Sequence, residues 1–351
     1  MANTEYGVNH PLAVKQWARK LFQEALKETY IGRFVGTSSN SLIQRKDDVS
    51  KDKGDRITIG LRMQLTGEGV AGDATLEGNE EALTTYHDNV FIDQLRHAVR
   101  SAGKMSEQRV PFSIREEAKD GLKDWWADRM DTAFFNQICG NTGQSDTKYT
   151  GMQAAIAPSA DRIILADGTH TSEASLSTTD VFQLTFLDRA LVKAKTATPL
   201  IRPIRYKGGE YYVAFLHPYQ VYNLRTDATA ARVTWYDAQK ARVQGGEMDD
   251  NPIFSGALGI YNGIVLHEST RIPVAPTNSE VRRAVLCGAQ AAALAFGQGS
   301  NMDKPQWYEE LFDYGNQLGV EAGRIWGLKK MVFNGTDFGT IVISTQATEP
   351  A

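Results

Sequence analysis

The chain has 351 residues, a formal net charge of −4 and a pI of about 5.9; 42% of its residues are hydrophobic and 23% charged. That composition suits one elaborate domain or two to three modest ones, with ample core. It argues against a protein that grips nucleic acid through a Lys/Arg stripe, and no apolar run reaches membrane-span length.

The first residues, Met1 to Tyr6, show no basic region followed by an apolar stretch, so no secretory signal is expected. Pro11 suits a first helical turn, and Leu12, Trp17, Leu21, Phe22, Ala25 and Leu26 form an apolar stripe running to about Thr29. The polar run Thr37 to Ser41, then Arg45-Lys46-Asp47-Asp48, reads as an arm that needs a neighbour to be ordered.

A β-arm follows. Its outbound strand covers about Asp55 to Leu65 and its return about Ala82 to Phe91, with Gln94 to Gly103 as a short helical connector. Between the strands, Gly67-Glu68-Gly69-Val70-Ala71-Gly72 fits the G-x-G-x-x-G spelling of a dinucleotide-binding turn. That turn needs a helix after it, whose amides hold the pyrophosphate. Here Asp73, Glu77, Glu80 and Glu81 follow, and no apolar-periodic helix begins. A Gly-rich acidic arm tip is the better reading; a soluble nucleotide-binding enzyme using Gly67 to Gly72 is the alternative.

The clearest helix starts at Ser113. Ser113 and Glu116 spell a capping box behind Pro111, and Ile114, Ala118, Leu122, Trp125, Trp126, Met130, Ala133, Phe134 and Ile138 recur at three- and four-residue spacing. Gly140 is a natural stop. The helix has about 25 residues and a length of about 38 Å. Each large side chain buried along it contributes about 1.5–3 kcal/mol, making it the spine of the fold.

Beyond Gly151 the pattern mixes helix and strand. Asp161 to Thr171 reads as strand and turn, and Thr179 or Asp180 caps a helix to about Ala194. Ile201 to Tyr206 and Tyr211 to Leu216 read as a hairpin around a Lys207-Gly208-Gly209-Glu210 turn, and His217-Pro218 opens a short helix through Leu224. Ala257 to Ser269 reads as a hairpin around Asn262-Gly263. Val281 to Cys287 reads as a strand leading into a small-residue helix, Ala289 to Phe296. Gly323 to Phe333 and Phe338 to Ser344 close the chain as two strands joined by Asn334 to Asp337.

Candidate chemistry is sparse. The six histidines, His10, His87, His97, His170, His217 and His267, form no metal-ligand spacing with one another or with a cysteine. Cys139 and Cys287 read as two buried thiols. Asp249-Asp250 reads as a solvated loop. No nucleophile elbow, zinc-protease or phosphate-loop motif occurs. The expectation is no catalytic, cofactor or metal site, and a role carried by surfaces.

The α+β order of arm, spine helix, mixed region and closing strands resembles the Hong Kong 97-type major capsid protein of tailed bacteriophages. Local spellings resemble the podophage branch named after phage N-four. They are Lys53 to Thr58, Leu76 to Leu83, Phe254 to Gly263, Leu286 to Ala291 and Gly327 to Gly335, in the expected order along nearly the whole chain. The resemblance implies an N-terminal arm (1–53) and an extended β-hairpin loop (54–100) reaching over a neighbour. It also implies a peripheral domain (101–179, spine helix 113–139), an axial domain (180–298) and a return to the peripheral domain (299–351). Gly67, Glu68, Gly69, Gly72, Asp73, Glu77, Glu80 and Glu81 are then expected at an inter-subunit contact, facing basic residues. Ile114, Leu122, Trp125, Trp126, Met130 and Phe134 pack the spine. The implied product is a structural subunit, not an enzyme, that self-assembles into pentamers and hexamers of an icosahedral head around double-stranded DNA, without sequence specificity and without a membrane. It would be assembled in the host cytoplasm. Only a short piece precedes the arm, so a separate scaffolding protein is expected, without a large maturation cleavage. A portal and a decoration protein are further partners of such a head. A host-encoded encapsulating shell shares the fold.

Overall fold

A computed structural model describes residues 30–46, 54–166, 170–226, 257–297 and 305–350. The helix expected before Thr29, Asp47-Asp48 and the Asp249-Asp250 loop lie outside the described residues.

A mixed sheet forms the centre, ordered Ile163–Leu165, Thr340–Gln346, Asn278–Cys287, Gly209–Leu216, Ile264–Glu268, Gly259–Tyr261. Its inner strands read as near-continuous apolar runs because both faces are covered. On one face Val213, Phe215, Val285, Cys287 and Val342 join the core of the spine helix. On the other, Ala214, Leu216, Ala284, Leu286, Ile341 and Ile343 pack with Phe186, Leu187, Leu191, Val221 and Leu224. These belong to helices Leu184–Thr196 and Pro218–Thr226. The first of these starts four residues later than its expected cap at Asp180, whose carboxylate instead accepts from Ser177 N at 2.7 Å. The Asn262-Gly263 hairpin turns where expected, with positive φ at both residues; in the other, the turn is only Lys207-Gly208, because Gly209 and Glu210 pair with Tyr206 and Arg205.

The spine helix spans Ile114–Ile138, and Ser113 Oγ accepts from Glu116 N. Leu122, Trp126, Met130 and Phe134 are buried as expected, whereas Ile114 and Trp125 are half-exposed. Trp125 stacks on His97 at 4.6 Å. From Ala133 onward the helix is buried on every side, with Asn136 and Gln137 bonded to the carbonyls of Tyr149 and Gln153.

A second sheet lies across the spine, ordered Val35–Gly36, Ile43–Lys46, Ala292–Phe296, Gln317–Lys330, Gln306–Phe312, with Asp93–Arg100 also on the long strand. Three expectations change here. The connector Gln94 to Gly103 is a strand, paired from Asp93 opposite Trp326 to Arg100 opposite Gly319; a six-residue helix, Lys104–Arg109, comes only after it. Ala292–Phe296 is also a strand. Helix propensity loses because its slot is narrow and buried on both faces: Leu294 and Phe296 face the spine, Ala293 and Ala295 the arm's base. The closing strands Gln317–Lys330 and Thr340–Gln346 lie in different sheets, not in one hairpin.

Nor does the segment after Tyr30 await a neighbour. Ile43–Lys46 runs parallel to Ala292–Ala295, and Ile31, Phe34, Leu42 and Ile43 are buried. Phe34 meets Phe215 edge-on at 5.3 Å, and Phe215 meets Phe135 at 5.5 Å, joining segment, sheet and spine.

Buried charges lock these layers. Arg283 makes a two-pronged pair with Glu173 (2.6 and 2.7 Å) and donates to the carbonyls of Cys139 and Gly140 at the spine's C-terminus. Burial pushes the Glu173 carboxyl up, but hydrogen bonds from Arg283, Ser344 and Thr277 and the Arg283 charge hold it below its usual range. Lys330 and Asp337, both fully buried, pair at 2.9 Å. Asp131, fully buried on the spine, accepts from Tyr30 N (2.8 Å) and Ile31 N (3.0 Å) and pairs with Arg271 (3.1 Å).

Removing one partner of the Glu173–Arg283 pair leaves an uncompensated buried charge. Glu173→Ala is expected to cost the unassembled subunit roughly 3–5 kcal/mol, read from the denaturant midpoint. Burial raises the Asp131 carboxyl to about 6, against the Tyr30 and Ile31 amides and the Arg271 charge, which lower it. Between about pH 4 and 6 the folded subunit therefore holds a proton that the unfolded chain releases, so this group's contribution falls as pH rises through that window. Asp131→Asn removes that fall. The wild-type-minus-variant difference in Tm is expected to decline from about pH 4 to 6 and then stay flat.

Candidate functional site

Among the described residues, the arm has little core of its own. Arg56–Arg62 pairs antiparallel with Thr85–Phe91, and the ladder ends at Arg62 opposite Thr85, shorter than expected at both tip-side ends. Strand alternation gives it one apolar face. At the base Ile57 and Val90 are buried against Ala293, Ala295, Met331, Phe333 and Phe338; farther out Ile59, Leu61 and Tyr86 are half-covered.

Two devices seat the base. Asp88 pairs with Lys329 and accepts from Val332 N at 3.1 Å, while Lys329 also donates to Asn89 O at 3.1 Å. Beside them Gly327 lets the backbones touch, since a Cβ there would collide with the Phe91 carbonyl.

Past the ladder the tip is tied to itself. Thr66 N and Gly67 N donate to the two Glu81 oxygens at 2.9 and 2.7 Å, and Gly78 N donates to Glu80 at 2.7 Å. The Thr66 and Gly67 amides hold the Glu81 carboxyl below its usual range. Gly69 and Gly72 take positive φ, +70° and +65°. Of the residues expected at an inter-subunit contact, Gly67, Glu68, Gly69, Gly72, Asp73, Glu77, Glu80 and Glu81 all cluster on this tip and are exposed. Glu80 and Glu81, however, spend carboxylate oxygens inside it. Three leucines to which the sequence assigns no contact join them: Leu65, Leu76 and Leu83 are 57%, 60% and 57% exposed. Their signal is plain afterwards, three large apolar side chains in a polar stretch with no local core.

The same geometry answers the cofactor alternative. No helix follows Gly72, and the Thr66 and Gly67 amides already face the Glu81 carboxylate. Among the described residues no three His, Cys, Asp or Glu side chains gather as a metal site. His170 bridges Ser175 (3.1 Å) and Asp180 (3.2 Å), but the Ser175 hydroxyl donates to Ser172 O at 2.7 Å and Asp180 holds Ser177. Cys139 and Cys287 are buried free thiols, and burial pushes Cys139 up to about 12. His217 is pushed down to about 4 by burial and the neighbouring Arg282 charge.

The chain matches the model of a family described as phage capsid protein over residues 5–349. It is 31% identical to the major capsid protein of Pseudomonas phage KPP25 across 94% of each chain. Among solved structures it resembles the capsid of Ralstonia phage GP4 with a TM-score of 0.86 and 35% identity over 100% of each chain. It also resembles the capsid asymmetric unit of cyanophage Pam1, with a TM-score of 0.78 and 22% identity over 99% of this chain and 100% of that one. Family, relative and fold agree from end to end, so the chain belongs to the phage capsid protein family: it is a major capsid protein with the Hong Kong 97-type fold.

Proposed function

We propose that copies of this chain assemble as pentamers and hexamers into an icosahedral head around double-stranded DNA, each arm reaching over a neighbouring subunit. The reading rests on the arm. Its base is bolted to the subunit core, while residues 63–84 have no core to rest on and still expose three leucines and a set of carboxylates. A single subunit gains nothing from such a projection; a shell gains a contact at every junction, each weak enough to reverse during assembly. Residues 101–179 and 299–351 belong mainly to the peripheral part and 180–298 make most of the axial part, with strands Ile163–Leu165 and Thr340–Gln346 completing the axial sheet and Ala292–Phe296 the peripheral one. A net charge of −4 suits a wall that does not hold its DNA tightly. The chain works as a structural subunit rather than an enzyme, is assembled in the host cytoplasm, and uses a separate scaffolding protein and a portal.

Purified full chain is expected as very large particles, or discrete pentamers and hexamers, in size-exclusion chromatography and negative-stain microscopy. A monodisperse dimer stabilised by NAD would overturn the reading. Deleting Gly67 to Glu81 is expected to leave the subunit's Tm nearly unchanged, because no core is lost, and to abolish or sharply reduce particles. Glu81→Ala unties the tip without shortening it. Limited proteolysis is expected to cut within residues 66–81 several-fold faster than in wild type, with Tm again unchanged.

A further inference from the structure

Asn-Gly occurs twice in the chain, at Asn262-Gly263 and at Asn334-Gly335. Both pairs sit at the centre of two-residue hairpins, with φ of +46° and +78° at the first and +48° and +74° at the second. Asparagine is thermolabile, and a following glycine, with no Cβ, leaves its backbone nitrogen open to attack on the asparagine side chain. The spelling is the same at both turns, but the fold treats them differently.

The first turn is held. Asn262 Nδ2 donates to Asp188 Oδ1 at 3.3 Å, beside the Tyr261 hydroxyl on Asp188 Oδ2 at 2.9 Å. Gly263 O accepts from Tyr212 N at 3.0 Å, and a Cβ at Gly263 would lie 3.2 Å from Glu210 O. The second turn is open. It joins the short strands Val332–Phe333 and Thr336–Asp337. Asn334 and Gly335 are exposed, and a Cβ at Gly335 would meet nothing within 4 Å. Among the described residues the Asn334 side chain has no hydrogen-bond partner. Ring closure needs the side chain to swing into a near-attack rotamer, which an anchored amide resists and a free one reaches.

We propose that Asn334 deamidates spontaneously while the Asp188 anchor protects Asn262. Gly335 N bonds to Asn334 Cγ, the Cγ–Nδ2 bond breaks, and the side-chain nitrogen leaves as ammonia with the proton that Gly335 N gives up. Water then opens the five-membered imide at either carbonyl and leaves aspartate or isoaspartate. No oxidant and no enzyme enter. The place matters for the arm. Isoaspartate carries one extra backbone carbon, which a two-residue turn pairing Phe333 with Thr336 cannot absorb and keep its register. Phe333 and Phe338, edge-on at 5.4 Å, pack with Ile57 and Val90 at the arm's base, and Val332 N donates to Asp88. Conversion at this turn therefore loosens the seat of the arm. The chemistry needs only the folded subunit, so it stands apart from the assembly reading.

The test is peptide mapping by mass spectrometry of the full chain, aged in mildly alkaline buffer made with heavy-oxygen water. The expected result is a time-dependent conversion at Asn334, as two separable products each carrying one heavy oxygen, several-fold faster than at Asn262. Asp188→Ala frees the Asn262 amide and is expected to speed its conversion several-fold, with Asn334 unchanged. No conversion at Asn334, or equal rates at the two sites in the wild type, overturns the site. An Asn262 rate unmoved by Asp188→Ala overturns the anchor. Hydrogen exchange then reads the arm. In the isoaspartate fraction, amides of residues 56–62 and 85–91 are expected to exchange several-fold faster than in fresh chain. Asn334→Gly keeps a residue that accepts the turn's positive φ, and its exchange is expected not to change on ageing. Equal exchange in the isoaspartate fraction and fresh chain, or the same rise in aged Asn334→Gly, overturns the effect on the arm.

Discussion

The strands Gly209–Leu216, Asn278–Cys287 and Thr340–Gln346 are covered on both faces through their central residues, and most of the subunit follows from that constraint. A two-faced sheet needs a layer on each side. The spine helix supplies one, and the helix pair Leu184–Thr196 and Pro218–Thr226 supplies the other. Backbone polar groups inside such a stack have only each other, so the ladders are long and in register. Buried charges appear where backbone groups end without a ladder or helical partner, past the spine's C-terminus and where the N-terminal segment enters the core. Arg283 satisfies the carbonyls of Cys139 and Gly140 just past the helix and is itself neutralised by Glu173. Asp131 satisfies the amides where the N-terminal segment enters the core.

Rigidity in the stack is what makes the arm usable. A projecting hairpin presents its tip at a defined place only if its base is fixed. Here the base is fixed by apolar burial of Ile57 and Val90, by the Asp88–Lys329 pair and by the close approach at Gly327. The tip is shaped separately, by Glu81 folding the Thr66–Gly67 amides back on the return strand. Stability and contact-making are thus divided between different residues. Glu81 shapes the tip, whereas Arg283 and Asp131 hold the core of the subunit.

Which features were readable beforehand follows from how local their causes are. The Ser113 cap, the spine periodicity and the Lys207-Gly208 and Asn262-Gly263 turns depend on neighbours within a few residues, and each formed where the spacing placed it. The arm was readable because a missing helix after Gly72 is also a local fact. Ala292–Phe296 reads as a helix because its small residues favour one in isolation, and only the strands beside it make the slot extended. Asp93–Arg100 is not legible as a strand because its partner lies more than 200 residues onward. The leucines at the tip were overlooked because exposure is not a property of the sequence.

By itself the sequence determined the class of object: an α+β chain with a capped spine, a Gly-rich acidic arm and no catalytic spelling, in an order that resembles capsid subunits. Those are matters of periodicity, capping and turn chemistry, which act over short range. Only the tertiary structure decided which carboxylates are spent within the chain and which remain exposed at its surface. Glu81 and Glu68 are chemically alike and thirteen residues apart, yet one ties the tip and the other faces solvent. The same holds for Asp131, indistinguishable on the page from the polar face of its helix until Tyr30, Ile31 and Arg271 close over it. The Asp131 outcome depends on contacts across a hundred residues or more, whose energies are set by burial and not by sequence neighbours, and the Glu81 outcome on how the tip closes on itself.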